Sequence, residues 1–246
     1  MNAEPADQIR LLEVQALDAR IAQLDHKRRT LPEHTELERL GADLAQLRDL
    51  LVAAQTEESD TAREQTKAEQ DVDQVRQRAA RDQQRLDSGA AGPRDLENLQ
   101  RELASLAKRQ SDLEDVVLDV MERREAAQER AAELTGRVES VQAKTAEAEA
   151  RKSAALEGID AEGFTAAKER EILASTVPAD LTKLYDKLRS QQGGVGAARL
   201  YQKRCEGCRL ELNITELNEL RAAPANQVVR CENCSRILIR TADSGL

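Results

Sequence analysis

Apolar residues recur at alternating steps of three and four on both sides of one glycine-containing break, and this pattern governs most of the chain. The first series runs Leu37, Leu40, Leu44, Leu47, Leu51 and Ala54, turns polar at Glu58, Thr61 and Gln65, resumes at Ala68, Val72, Val75 and Ala79, and passes the polar Asp82 to end at Leu86. The second runs Leu96, Leu99, Leu103, Leu106, Gln110, Leu113, Val117, Val120, Arg124, Ala127, Ala131, Leu134, Val138 and Val141. A mean spacing of about 3.5 residues places such positions on one narrow stripe of a helix, the seam of a coiled coil. Between the series lies DSGAAGPRDL. Gly89 and Gly92 tolerate positive φ there, and Pro93 opens a helix but cannot continue one, so the chain is expected to reverse near 87–95.

Folding the two series back on each other with Leu86 against Leu96 sets Leu51 opposite Ala131 and Leu44 opposite Val138. The same register brings Glu58 to Arg124. A half-buried ion pair adds little net stability but penalises slipped registers, so this pair is expected to specify alignment. An earlier segment, with Val14, Leu17, Ile21, Leu24 and Leu31, keeps the spacing until Pro32, which is expected to break or kink the helix.

Composition rules out the alternative of one wide core. The only aromatic residues are Phe164, Tyr185 and Tyr201, there is no Trp, and 34% of residues are charged. Ala, Leu, Glu, Gln and Arg suit long helices that bury a thin seam. The expected fold is therefore mainly α: a long antiparallel coiled-coil hairpin over 1–176, then a short helix with a small cysteine domain over 177–246. The net charge of −9 is unevenly spread. Residues 180–246 hold eleven Lys/Arg against eight Asp/Glu, a balance of +3, which leaves −12 for 1–179. An acidic body does not wrap nucleic acid, although a basic tip can touch phosphates. With no stretch of eighteen apolar residues and an acidic start, MNAEPADQIRLLE, the sequence points away from a membrane and toward the cytoplasm, where thiols stay reduced.

All four cysteines fall near the C-terminal end as two CxxC pairs, Cys205 with Cys208 and Cys231 with Cys234. Each pair offers two sulfurs from one tight turn, and four thiolates fill the tetrahedral shell of one structural zinc ion, leaving no position for water or substrate. A rubredoxin-like iron site uses the same ligands. A redox CxxC would need a βαβ setting that neither pair has, and a cross-braced double site would need eight ligands. Gly207 and Asn233, each before the second cysteine of its pair, are expected to take the left-handed backbone of the turn. His26 and His34 lie far from the cysteines in sequence and are not assigned to metal. NQVVR and SRILIR read as short strands, and ITELNELRAA as a helix capped by Thr215.

Three stretches resemble the bacterial family of coiled-coil hairpin proteins with a C-terminal C4-type zinc ribbon. SGAAGPRDLENLQRELASL is similar to the family's turn and the run that leaves it, with Gly92 where Asn is usual. VPADLTKLYDKLRSQQGGVGAARL is similar to its Ile-Pro, Tyr, Arg and Gly-Gly segment. CENCSRILI is similar to its closing CP.CGRILY, with Ser235 for the usual Gly and Ile239 for Tyr. The resemblance runs through most of the chain and implies the same four zinc ligands. Studied members act as binding proteins and chaperones in flagellar or type III export, contacting an alternative sigma factor, export components and, in one case, messenger RNA. Those partners are not carried over to this chain.

Function is expected to be non-enzymatic: a zinc-binding, adaptor- or chaperone-like protein that contacts a protein partner through rod and ribbon, with no small-molecule substrate. No paired-carboxylate pocket, Ser/His/Asp set or phosphate-loop motif is legible. GGVG at Gly193 lacks the lysine and helix of a phosphate loop and reads as a flexible joint. The competing expectation is RNA or DNA binding at the ribbon end. Arg199, Lys203, Arg204, Arg209, Arg230, Arg236 and Arg240 would supply charge there, and Tyr201 a stacking surface.

Overall fold

The computed structural model describes residues 1–89 and 92–246; Ala90 and Ala91, within the expected reversal, lie outside the described residues. Four helices come first: α1 (Pro5–Arg29), α2 (Pro32–Asp87), α3 (Pro93–Ser175) and α4 (Ala179–Gln191). Then follow β1 (Ala197–Tyr201), β2 (Arg204–Cys205), α5 (Ile214–Ala222), β3 (Val229–Arg230), β4 (Ile237–Ile239) and a final 3-10 turn, Ala242–Ser244. Among the described residues, no helix is long and apolar enough to cross a membrane. Prolines mark three of the helix starts. Pro5, Pro32 and Pro93 each occupy a first helical position, where the missing N–H has no intrahelical partner to lose. The expected break at Pro32 is a two-residue interruption between α1 and α2.

Contacts divide the chain into two units, one of Thr35–Glu149 and one of Met1–His34 with Ala150–Leu246. This differs from the boundary expected near 176, because α1 and the last part of α3 pack with the cysteine domain.

The Thr35–Glu149 unit is an antiparallel helix pair. Leu47 and Ala54 of α2 pack with Ala131, Leu134 and Val138 of α3, flanked by Leu44, Leu51 and Val141. This joins the residues that the expected register brings together. Ion pairs bridge the helices beside the seam: Glu64 to Arg123 at 3.0 Å, Arg76 to Glu114 at 2.7 Å, and Arg78 to Glu102. Towards the turn the buried seam thins to Thr61, Ala68, Val72 and Asp82 on α2 and Leu99 and Val120 on α3. The structure corrects one expected contact. Arg124 donates to Gln65 Oε1 at 2.9 Å, one heptad further along α2 than Glu58, and no ion pair joins Arg124 to Glu58 among the described residues. Both residues are half-buried. The amide oxygen of Gln65, itself a seam position, meets the guanidinium without bringing a second charge into the seam.

In the other unit a four-stranded sheet, ordered β2-β1-β4-β3, separates two cores. β1 runs parallel to β4 and antiparallel to β2, and β3 runs antiparallel to β4. Alternation along the strands assigns the faces. Ala197, Ile237 and Ile239 join Leu11 and Val14 of α1 and Leu181, Tyr185 and Leu188 of α4. Ala198, Leu200 and Leu238 turn the other way, onto Leu217 and Leu220 of α5 and the cysteines. Both faces of β4 are thus covered, which is why ILI is buried throughout. The chain start adds to the sheet side: Ala3 N–H donates to Asn226 O at 2.8 Å, and Val228 N–H to Met1 O at 3.1 Å.

Two local expectations are corrected. Asn213, not Thr215, caps α5: its side chain accepts from Glu216 N–H while the Glu216 carboxylate accepts from Asn213 N–H, a reciprocal box. The GGVG segment is no loose joint. Gly193 and Gly194 take positive φ to end α4, with Gly194 N–H returning to Arg189 O at 2.9 Å. At Gly196 an added Cβ would lie 2.6 Å from Tyr185 O.

A four-cysteine candidate metal centre

The two CxxC turns have the same backbone. In the first, Arg209 N–H donates to Cys205 O at 2.7 Å and Cys205 N–H to Leu210 O at 3.0 Å; in the second, Ser235 N–H donates to Cys231 O at 2.7 Å and Cys231 N–H to Arg236 O at 3.0 Å. The left-handed residue in each is the one after the second cysteine, Arg209 at φ 63° and Ser235 at φ 61°, not Gly207 or Asn233 as expected. Gly207 is small for a different reason: an added Cβ would meet Arg236 Cδ at 2.7 Å and Ala198 Cβ at 3.0 Å. A non-glycine residue in left-handed backbone costs about 1–2 kcal/mol, offset in part by glycine's greater unfolded-state entropy. Ser235→Gly is therefore expected to stabilise the ribbon by about 0.5 kcal/mol, read as a higher unfolding midpoint in denaturant; a lower midpoint would contradict the strain.

These turns converge four thiols. Cys205 and Cys234 Sγ are 3.8 Å apart, as are Cys208 and Cys231, and all four sulfurs lie within 4.8 Å of one another. A tetrahedron with metal–sulfur bonds of about 2.3 Å has edges of about 3.8 Å, so the set has the size of one four-coordinate ion. No pair is a disulfide, and neither histidine joins the cluster. Burial pushes the Cys205 and Cys231 thiols above their ordinary value. At Cys234 burial acts the same way but is outweighed, chiefly by hydrogen bonds from Arg236, and the thiol falls to about 7. A central cation would hold all four as thiolates.

The expected cationic surface is partly used up internally. Arg236 donates to three carbonyls, Val195 at 3.0 Å, Gly207 at 3.2 Å and Gln192 at 2.8 Å, so it ties the second cysteine turn to the first and to the end of α4. Arg240 donates to Leu220, Ala223, Pro224, Ala225 and Gln227 carbonyls and closes the C-terminal end of α5. Arg199 is 3.7 Å from Asp243, and Arg230 donates to Ser235 O at 2.8 Å. Tyr201, Lys203, Arg204 and Arg209 remain exposed. Gln202 and Lys203, both at positive φ, form the two-residue turn between β1 and β2.

One buried polar cluster has no signature in the sequence. Asp18 of α1, 2% exposed, accepts from Tyr185 OH at 2.6 Å and lies 3.3 Å from Arg170 Nε and 3.2 Å from Arg189 Nη2. One turn away, Gln15 Oε1 accepts from Gly196 N–H at 2.8 Å, and its Nε2 donates to Gly194 O at 3.2 Å. Asp18 sits one residue past the apolar position Leu17, and nothing in local spacing separates it from a solvated carboxylate. Its three partners come from 150 residues downstream or more.

Burial, and then the hydrogen bond to Asp18, push the Tyr185 hydroxyl well above the ordinary tyrosine value. The folded state holds this proton more tightly than the unfolded chain. Its stabilising contribution is complete below about pH 10, the ordinary value, and is lost as pH climbs from there towards the folded-state value. In a Tyr201→Phe protein, tyrosinate absorbance is expected to rise only together with unfolding of this unit. Ionisation near pH 10 with circular dichroism unchanged would show that the hydroxyl reaches water.

An antiparallel helical hairpin followed by a small sheet that gathers four cysteines defines a coiled-coil protein with a zinc-ribbon module. The chain belongs to the CT398-like coiled coil hairpin domain family, which it matches over residues 14–193, and residues 204–238 match the C4-type zinc ribbon domain. It is 35% identical over 240 residues to the uncharacterized protein Rv2229c of Mycobacterium tuberculosis, covering 98% of both chains. A solved Mycobacterium smegmatis structure is 35% identical with a TM-score of 0.85, over 98% of this chain and all of that one. CT398 from Chlamydia trachomatis shares the fold at 19% identity, with a TM-score of 0.67 over 96% of this chain and 98% of its own.

Proposed function

We propose that this is a non-enzymatic adaptor whose ribbon is folded around one structural zinc ion and whose surfaces bind another protein. The carrying observation is the closed cysteine tetrahedron: protein sulfurs occupy every position around the centre, so a bound ion organises the fold and has no place for a substrate. Zinc is favoured over iron by the ribbon family matched at 204–238. The hairpin supports the binding role, since Leu50 and Val52 of α2 and Val116, Leu118 and Met121 of α3 are all exposed on its surface.

The nucleic-acid alternative keeps Lys203, Arg204 and Arg209 beside Tyr201, but Arg236 and Arg240 are spent on carbonyls. Glu232, held above its usual value first by Glu216, adds negative charge to the same domain. Affinity capture from the source organism with the full chain and a Cys205→Ser/Cys208→Ser variant, each with and without nuclease, tests the choice. A protein partner that survives nuclease supports the adaptor, and capture lost on nuclease treatment supports the alternative. Metal analysis of the purified protein should find one zinc per chain; iron would overturn that assignment.

A further inference from the structure

Single exposed apolar residues are common on any protein, but a cluster of them beside a groove is not. The α3 stretch SDLEDVVLDVME, residues 111–122, has such a cluster. Leu118 and Met121, three residues apart on the side of α3 that carries Glu114, are 58% and 46% exposed, while Val120 is buried in the seam, Val117 is half-buried, and Val116, 47% exposed, lies on the opposite flank of the helix. Beside them a groove of about 420 Å³ opens between α2 and α3, floored by Val72, Val117 and Leu118.

The α3 stretch that forms one wall of this groove is charged one way. Residues 111–122 carry five carboxylates, Asp112, Glu114, Asp115, Asp119 and Glu122, and no Lys or Arg. Across the groove α2 adds Glu69 and Asp73 to the lining. The one cation there, Arg76, is committed to Glu114 at 2.7 Å and to Asp73 at 3.9 Å. Of the nearby cations, Arg123 is paired with Glu64, Arg124 bonds Gln65, Lys67 is exposed on the Glu64 side of α2, away from Glu69, and Lys108 and Arg109 precede the stretch. Hydrogen bonds from Gln110 and Arg76 hold Glu114 below its usual value, so it stays ionised at neutral pH.

We propose that this acidic apolar belt docks a cationic amphipathic helix of a partner protein, laid along the α2–α3 groove with its apolar face on Leu118 and Met121. The twelve residues rise about 18 Å along α3, room for three turns of a third helix. A second copy of this chain would bring the same carboxylates against themselves, and nucleic acid or an anionic membrane would be repelled alike. The proposal rests on the adaptor reading and names where and what that adaptor binds.

The test uses the full chain and fluorescent synthetic peptides of leucine and lysine, one with leucines on a single helical face, one scrambled at equal charge, and one with glutamate replacing lysine. The amphipathic cationic peptide is expected to bind, more weakly as salt rises, and the other two to bind at least tenfold less well. Leu118→Ser/Met121→Ser and Asp115→Asn/Asp119→Asn/Glu122→Gln are each expected to weaken binding at least tenfold with helical dichroism unchanged. Equal binding of the scrambled peptide, or undiminished binding by either variant, overturns the proposal. So does a dimer in sedimentation that the serine variant abolishes, which would make a second copy the occupant. If a nuclease-resistant partner is captured equally by the serine variant, this docking site falls and the adaptor reading stands; if no such partner exists, the adaptor reading falls first.

Discussion

Stripping the metal from this protein with a chelator is expected to unfold the ribbon while leaving the Thr35–Glu149 helix pair intact. Structural zinc in such modules contributes about 10–16 kcal/mol, more than a small domain's whole stability. The cysteine-side core consists of Ala198, Leu200, Leu212, Leu217, Leu220 and Leu238 around the thiols, too little apolar surface to order the segment alone. Amide exchange should show loss of protection first at Ile237–Ile239, whose two faces serve both cores, and then in α1 and α4, which rest on one of those faces. The helix pair has its own seam and interhelical ion pairs, so its amides and most of the far-ultraviolet helical signal should persist. Cys231→Ser/Cys234→Ser should behave as chelation does. Retained protection across β4 in metal-free protein, or collapse of the helix pair with the ribbon, would contradict this picture.

The second large effect is expected at Asp18. Asp18→Asn keeps shape and removes the charge that Arg170 and Arg189 face, and a buried pair broken on one side costs about 3–5 kcal/mol. Both arginines retain some exposure and Arg170 keeps Asp186 at 2.6 Å, which places the expected loss near the lower bound, about 3 kcal/mol. Tyr185→Phe should lose only about 1 kcal/mol, since it removes one hydrogen bond without orphaning a cation. Urea unfolding of the two variants, followed by exchange in α1 and α4, separates them. Equal losses would mean that the hydrogen bond, not the ion pair, carries the cluster.

Much of the architecture was legible because it is written in local terms. A three-four apolar spacing fixes which face of each helix is buried whatever it packs against, and Pro32 and Pro93 punctuate it in ways no tertiary contact can undo. The cysteine set was legible for a similar reason: two CxxC turns present sulfurs in pairs, and few arrangements other than one tetrahedral ion use four of them. Ser235 shows the limit. Its substitution for the family's glycine is visible in sequence, yet that it is the left-handed residue, rather than Asn233, follows from the hydrogen bond of Ser235 N–H to Cys231 O.

What stayed hidden depends on partners distant in sequence. β1, AARLY, has weak strand propensity at its first residues and becomes a strand because β4 pairs with it in parallel. Arg236 and Arg240 look like surface cations until the carbonyls around them are placed. Asp18 and Gln15 look like the wet face of a coiled coil until Tyr185, Arg170, Arg189 and the glycines after α4 close over them. Sequence alone thus determined the helical hairpin and the metal ligands, because periodicity and short-range spacing act within a few residues. Tertiary structure alone decided that α1 belongs with the ribbon and which charges are internal, because the cost of burying a polar group depends on neighbours that only the folded chain brings near.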